Sequence, residues 1–237
     1  MTGHIGIVAC SAEGAALCYR TICLEAAAFM GEYMHPEVSM HTHPLGEYMP
    51  PIRSGDWRRV AELMLDSAEK LAKAGANLII CPDNTIHQAF DLAVAASPLP
   101  WIHIAEPVAM EAERRGFRQL AITGTKYLMA SDVYPRVLKR FRIGWRTPDE
   151  QDRQVIDDII FNELVKGVVS DESRNRFNSI IAALRKHGCD AVVLGCTELP
   201  ILAGLSDPCP LPTLDSTRLL AREAVRRAIQ YQPQSPG

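Results

Sequence analysis

The chain has 237 residues, of which 47% are hydrophobic and 22% are charged, a composition typical of a folded protein with a full core. Its formal net charge is -3, and its lysines and arginines are spread along the sequence, which argues against nucleic-acid binding or attachment to anionic membranes. Seven cysteines without a Cys-x-x-Cys pair, and an N-terminus without a recognisable export signal, predict reduced thiols and a cytoplasmic location.

Short β-branched segments alternate with longer amphipathic or alanine-rich segments along the chain. The segments predicted as strands are, in chain order, 5–10, 37–42, 78–81, 101–104, 119–123, 191–194 and 211–214. Helical periodicity is clear in segments 61–74, 106–115, 154–165, 174–187 and 216–229. This alternation predicts an α/β fold with parallel sheets flanked by helices.

The sequence resembles itself at an offset of 113 residues. Residues 75–80 (GANLII) align with residues 188–193 (GCDAVV), and the same offset places the first strand over residues 120–124. We therefore predict two pseudo-symmetric α/β lobes, the first formed by residues 1–98 with 208–237 and the second by residues 99–207. Proteins of this kind usually bind their ligand in the cleft between the lobes, so the cleft is the predicted active site.

The same alignment pairs the ends of two strands and places Asp83 over Cys196. Each residue follows an apolar strand and precedes a predicted helix start, where Asp83 and Thr197 are suitable capping residues. Backbone N–H groups at such a start favour anions and lower the pKa of a thiol. Two such ends would present two bases to one small carboxylate, although a cysteine in this position is also common as a packing residue. Most of the seven cysteines are interpreted as small buried hydrophobic residues.

Two motifs resemble the cofactor-independent aspartate/glutamate racemase family. They read DNTIH at residues 83–87 and GCTE at residues 195–198, and the resemblance extends over nearly the whole chain. It implies an isomerase that racemises or epimerises a small acidic amino acid by proton transfer at the α-carbon, without a cofactor, as a homodimer. The implied catalytic pair is Asp83 and Cys196. The family usually has two cysteines, so Asp83 is a departure from its pattern.

The replacement of a cysteine by Asp83 changes the expected basicity. Reference pKa values of about 3.9 for Asp and 8.5 for Cys differ by roughly 4.6 units, or about 6 kcal/mol. The sequence leaves open a slow or one-sided racemase, a racemase whose Asp83 pKa is strongly raised, and a decarboxylase or isomerase of a dicarboxylate or hydantoin-like compound that needs only Cys196 as proton donor. A two-lobe small-molecule binding protein is a further alternative.

Other polar residues carry over from the resemblance as substrate-binding positions. They are Ser11, Asn84, Thr85, Thr125, Glu163, Thr197 and Glu198. His41 and His43, two residues apart at a strand end, could share a metal, but without a third ligand in view they are interpreted as loop or cleft histidines and no metal is predicted. His87 lies one turn after Asp83 and is expected either to hydrogen-bond it or to face the next helix.

Overall fold

The computed structural model describes residues 2–203 and 209–231, and the chain divides into two compact units. The first unit ends at Ile104 and resumes at Thr217, and the second comprises Ala105–Ser216. These boundaries follow the strand pairing. Residues 101–102 pair with the sheet of the first unit, and residues 213–215 pair with the sheet of the second. Each boundary therefore follows one of these two strands, whereas the boundaries predicted from the sequence, after residues 98 and 207, precede them.

The first unit is a parallel sheet with helices between its strands. Its elements are β1 (Ile5–Ala9), α1 (Ala12–Glu25), α2 (Ala27–Met30), β2 (Val38–Thr42), α3 (Leu45–Ser54), α4 (Trp57–Lys73), β3 (Leu78–Ile80), a 3-10 helix (Thr85–Ala89), α5 (Phe90–Ala96) and β4 (Trp101–Ile102). The strand order is β2-β1-β3-β4, with all pairs parallel. The two central strands, β1 and β3, are buried along their whole length.

The second unit repeats this plan. Its elements are α6 (Ala105–Arg114), β5 (Gln119–Gly124), α7 (Lys126–Met129), α8 (Val133–Arg140), β6 (Gly144–Arg146), α9 (Glu150–Asp158), a π-helix (Ile159–Glu163), a 3-10 helix (Leu164–Lys166), α10 (Asp171–Lys186), β7 (Ala191–Gly195), α11 (Leu199–Ala203) and β8 (Thr213–Asp215). The strand order β6-β5-β7-β8 matches that of the first sheet, position by position. The prediction of two related α/β lobes with parallel sheets is therefore confirmed.

The final helix, α12 (Ser216–Gln230), packs on the first unit. Its apolar face recurs with helical spacing and joins the core formed by β1, β3, β4 and α1. The residues of this face are Leu220, Ala221, Ala224, Val225 and Ala228. The last helix of the chain thus packs against the sheet that contains the first strand.

Two details differ from the sequence prediction. Strand β6 was not predicted, because three residues at a sheet edge are too few for a periodic signal. The helix predicted over residues 154–165 is interrupted, since α9 ends at Asp158 and the chain continues through a π-turn and a 3-10 turn to Gly167, which has a φ of 75°. The wider turn accompanies burial of Ile159 and Ile160 in the core. Within the described ranges, no helix combines the length and apolar character needed to cross a membrane.

Two glycines let β5 and β7 approach closely where both strands end. A Cβ atom added at Gly195 would lie 2.5 Å from the carbonyl oxygen of Thr123 and 2.5 Å from Cδ2 of Leu128. A Cβ atom added at Gly124 would lie 2.8 Å from the carbonyl oxygen of Gly195. A side chain does not fit at either position unless the backbone moves, so the glycines determine where the residue after Gly195 is placed.

We expect Gly195→Ala to lower the free energy of unfolding by about 1–3 kcal/mol, because the added methyl group overlaps backbone atoms that cannot rotate away. Urea denaturation measures this change. Gly46→Ala in α3 is the matched control, since no atom lies within 4 Å of the new methyl group. It should leave stability unchanged or raise it by up to about 1 kcal/mol. Wild-type stability of Gly195→Ala would contradict the close approach of the two strands.

Candidate active site

The register of the first sheet brings Cys10 beside Asp83. In the parallel pair of β1 and β3, Ile7 lies opposite Ile80, and continuing this register past the strand ends places residue 10 opposite residue 83. The next residue, Ser11, caps α1, since its Oγ accepts a hydrogen bond from the Gly14 N–H at 3.3 Å. The carboxyl end of the sheet therefore collects these residues at one edge.

Asp83 is held at this edge by two donors. Its Oδ1 accepts a hydrogen bond from the Ile86 N–H at 3.2 Å, as expected for a residue that caps the turn after β3. Its side chain is also hydrogen-bonded to the thiol of Cys10. Asp83 itself is partly exposed, whereas Asn84 and Thr85, which follow it, are buried. The Asp83 carboxylate is thus a partly exposed polar group at this edge.

Two buried thiols and a phenol surround Asp83. Burial raises the pKa of Cys10, and the negative charge of Asp83 raises it further. Burial likewise raises the pKa of Cys81, again with a contribution from Asp83. Tyr48 of α3 has a raised pKa because it is buried and lies near Cys81, Cys10 and Asp83. All three groups therefore stay protonated at neutral pH, and Cys81 is too deeply buried to replace the family's first cysteine.

His87 links the loop after β3 to the end of β4. Its Nδ1 lies 2.7 Å from the carbonyl oxygen of Asp83, and its Nε2 accepts a hydrogen bond from the Ile104 N–H at 3.1 Å. The ring is therefore neutral, with its proton on Nδ1. Of the two expectations for His87, hydrogen bonding to Asp83 is correct, but the partner is the backbone and not the carboxylate.

The second sheet positions Cys196 in the same way. Gly124 lies opposite Gly195 in the pair of β5 and β7, so the register places residue 125 opposite residue 196. Thr125 caps α7, with its Oγ1 accepting a hydrogen bond from the Leu128 N–H at 3.2 Å. Cys196 is partly exposed at the end of a fully buried strand.

Cys196 has a carboxylate as its hydrogen-bond partner. Its thiol donates to Oε2 of Glu198 at 2.8 Å, and the Thr197 hydroxyl donates to the same oxygen at 2.8 Å. Thr197, predicted as a capping residue, therefore serves to hold Glu198. Glu198 is only 5% exposed, so its carboxylate is more deeply buried than the partly exposed Cys196. A carboxylate that accepts a thiol proton can generate the thiolate, which is the basic form of cysteine.

Glu163 is bound within its own segment. Its carboxylate accepts hydrogen bonds from the Ser170 hydroxyl at 3.0 Å and from the Ser173 hydroxyl at 2.7 Å. These contacts close the turn between the π-helix and α10. The residue is partly exposed, so a substrate contact remains a proposal that would have to share the carboxylate with two serines.

His41 and His43 do lie together, with a third residue that the sequence did not reveal. Nε2 of His43 lies 2.7 Å from Oδ2 of Asp66 on α4, and ligand atoms of all three residues lie within 4.8 Å of one another. The same Asp66 oxygen accepts a hydrogen bond from the Lys70 ammonium at 2.6 Å. Because a cation of the protein already neutralises this carboxylate, we interpret the group as an ion-pair network on the face of α4.

The structure thus groups most of the predicted site residues at the carboxyl-terminal edges of the two parallel sheets. The first edge carries Ser11, Asp83, Asn84 and Thr85, and the second carries Thr125, Cys196, Thr197 and Glu198. The sequence did not predict Cys10 as a partner of Asp83. Its position in the sequence was the available signal. Cys10 directly precedes Ser11 at the end of the first predicted strand, and pairing with a parallel neighbour brings that position level with residue 83.

We expect His87 to make folding stability depend on pH. Burial, together with nearby His103, holds the pKa of His87 well below its usual range, so the unfolded chain takes up a proton that the folded ring does not. The stabilisation is complete above about pH 6.5 and is lost as the pH falls towards the folded pKa. His87→Gln should therefore reduce the loss of unfolding free energy between about pH 7.5 and about pH 5 by about 1 kcal/mol or more.

Urea denaturation at several pH values measures this dependence, with the exposed His187 as the control position in His187→Gln. The control should keep the wild-type dependence on pH. An unchanged dependence in His87→Gln would show that the ring is not held neutral in the folded protein.

Comparison with known proteins matches the part of the chain that contains both sheet edges to one family. A sequence model of the Asp/Glu/Hydantoin racemase family matches residues 7–224. The broad specificity amino-acid racemase RacX of Bacillus subtilis (strain 168) is 23% identical over 203 residues, which cover 84% of each chain.

Solved structures agree over almost the full length. A Yersinia pestis protein assigned to the Asp/Glu racemases has a TM-score of 0.87 and 30% identity, covering 96% of this chain and 100% of that one. An aspartate racemase homologue from Pyrococcus horikoshii OT3 has a TM-score of 0.82 and 26% identity, covering 96% of this chain and 99% of that one. The resemblance predicted from residues 83–87 and 195–198 is confirmed, and the chain belongs to the Asp/Glu/hydantoin racemase family.

Proposed function

We propose that this protein is a cofactor-independent amino-acid racemase or epimerase that acts on aspartate, glutamate or a similar small acidic amino acid. Membership of the family supports the reaction class. The observation that carries the proposal is the Cys196 thiol, partly exposed at a strand end and hydrogen-bonded to the buried carboxylate of Glu198. The relatives include a broad specificity racemase and glutamate racemases, which favours an amino acid as the substrate.

Cys196 would exchange a proton with the α-carbon. When Glu198 takes the thiol proton, the thiolate can abstract the α-proton and leave a carbanion that is stabilised by the adjacent carboxylate of the substrate. In the reverse direction the Cys196 thiol returns a proton to that carbon. Placing Glu198 within hydrogen-bond reach of the sulfur meets the requirement for an activated thiol.

Inversion also needs an acid/base on the opposite face of the carbon, and we assign this role to Asp83. It follows β3, the strand equivalent to β7, which precedes Cys196, and its carboxylate is a partly exposed polar group at that edge. Because a carboxylate is a weaker base than a thiolate, kcat should differ between the two directions, with KM differing in proportion because enantiomers have equal free energies. For each turnover one proton leaves the α-carbon and one is delivered, so the substrate keeps its composition.

Substrate carboxylates would be held by the polar residues beside the two acid/base groups. We assign this role to Ser11, Asn84, Thr85 and Thr125, with Glu163 as the partner of the substrate ammonium. We further propose that the protein works in the cytoplasm as a homodimer. None of the seven cysteines, all of which lie in the described part of the chain, forms a disulfide, which fits a reducing compartment.

Exchange of the α-hydrogen in deuterium oxide tests the reaction directly. The wild-type protein should incorporate deuterium at the α-carbon of L- or D-aspartate or glutamate, detected by proton NMR or mass spectrometry. Chiral chromatography should detect the opposite enantiomer in the same samples. If no amino acid in a panel of acidic and neutral L- and D-forms exchanges its α-hydrogen, the proposed function is wrong.

Single substitutions test the roles of the two groups. Cys196→Ala should reduce exchange by about 10²–10⁴-fold, and Asp83→Asn should suppress formation of the opposite enantiomer by a similar factor, because each removes one proton-transfer group. Cys23→Ala is the control, since Cys23 is a partly exposed thiol on α1, away from the strand ends. Full racemisation by Asp83→Asn would indicate a reaction that uses Cys196 alone.

A further inference from the structure

We propose that Cys10 is a positioning residue for catalysis, whose buried thiol donates a hydrogen bond to the Asp83 carboxylate and fixes its orientation. The inference rests on the proposed function, because it assigns Cys10 to the acid/base group of the first unit. It differs from the interpretation of Cys10 as a packing residue, which its burial alone would suggest.

The geometry of the sheet supports this role. The register of β1 and β3, continued three residues past the pair Ile7–Ile80, places Cys10 opposite Asp83, and the thiol is hydrogen-bonded to the carboxylate. A second donor, the Ile86 N–H, binds Oδ1. Two donors from different elements, one at the end of β1 and one in the turn after β3, restrict the rotation of the carboxylate far more than a single cap would.

The direction of the hydrogen bond follows from the surroundings of Cys10. Among the described residues, Cys81 at the end of β3 and Tyr48 of α3 are titratable groups near the Cys10–Asp83 pair, and burial raises the pKa of both. Each of them stays neutral at neutral pH, as does Cys10 itself, which is 4% exposed. Asp83 is then the acceptor, and the thiol is the donor.

The second unit contains the same two chemical groups with their positions exchanged. There the thiol of Cys196 is partly exposed, and the carboxylate of Glu198 that is hydrogen-bonded to it is buried, with Glu198 5% exposed. In the first unit the carboxylate of Asp83 is partly exposed and the thiol of Cys10 lies behind it. At each strand end, one proposed acid/base group is partly exposed and is hydrogen-bonded to a buried group of the other type, a thiol in the first unit and a carboxylate in the second.

Substitution of Cys10 should change the chemistry rather than substrate binding. Cys10→Ala should lower kcat for racemisation by about tenfold or more with KM little changed, because the carboxylate loses its second anchor. The acidic limb of the pH profile should move to higher pH, since a hydrogen bond to a carboxylate favours its charged form. Cys10→Ser, which keeps a donor, should recover most of the activity and restore the limb.

Cys18→Ala is the matched control, because it removes a fully buried thiol from the apolar core of the same unit. It should lower stability without moving the pH profile. The double variant Cys10→Asp with Asp83→Cys recreates the arrangement of the second unit, a partly exposed thiol beside a buried carboxylate. It should be more active than Asp83→Cys alone. A folded Cys10→Ala protein with wild-type kcat and pH profile would overturn the inference.

A measurement without turnover separates this inference from the proposed function. The S–H stretching band of Cys10 in the Raman spectrum is identified by its loss in Cys10→Ser. In the wild type it should have the low frequency of a hydrogen-bonded thiol, and it should rise in Asp83→Ala. A band that does not respond to Asp83→Ala contradicts the contact even if racemisation is observed. A responding band in a protein that exchanges no amino acid would instead count only against the proposed function.

Discussion

The register of parallel strands is the constraint on which both candidate sites depend. Parallel strands in register end level with one another, so residues from distant parts of the chain meet at one edge of the sheet. In the first sheet this brings Cys10 to Asp83 across 73 residues, as the pairing of Ile7 with Ile80 requires. In the second sheet it brings Thr125 to Cys196, and Gly124 and Gly195 allow the two strands to approach closely where they end.

The chemistry of the two edges is related but not identical. Both combine a thiol with a carboxylate, yet the exposed group is Asp83 in one unit and Cys196 in the other. A repeated fold thus carries an unequal pair of candidate acid/base groups. Because a carboxylate and a thiolate differ widely in basicity, a racemase that used this pair would have different kcat values for the two enantiomers. In the proposed mechanism the buried partners, Cys10 and Glu198, support the two proton-transfer groups and are not only part of the core.

Much of the fold was predictable because buried strands and amphipathic helices leave strong local patterns. Segments 5–10, 78–81 and 191–194 were identified as strands within one or two residues, and α4, α6, α10 and α12 all overlap predicted helices. Strand β6 and the π-turn at Ile159–Glu163 were missed, since a three-residue edge strand has no period and a widened turn depends on what its side chains pack against. The third member of the His41–His43 cluster, Asp66, lies on another element and left no local signal.

The sequence by itself determined the α/β class, the internal repeat and the two strand-end motifs, because each is written in contiguous residues. Only the tertiary structure decided which groups support those motifs. Cys10 is 73 residues from Asp83, and its hydrogen bond exists because β1 and β3 pair in one particular register. His87 joins Asp83 to Ile104 for a similar reason, since β4 ends beside the turn that follows β3. Such contacts depend on how strands are paired, and pairing is a property of the folded sheet and not of any one segment.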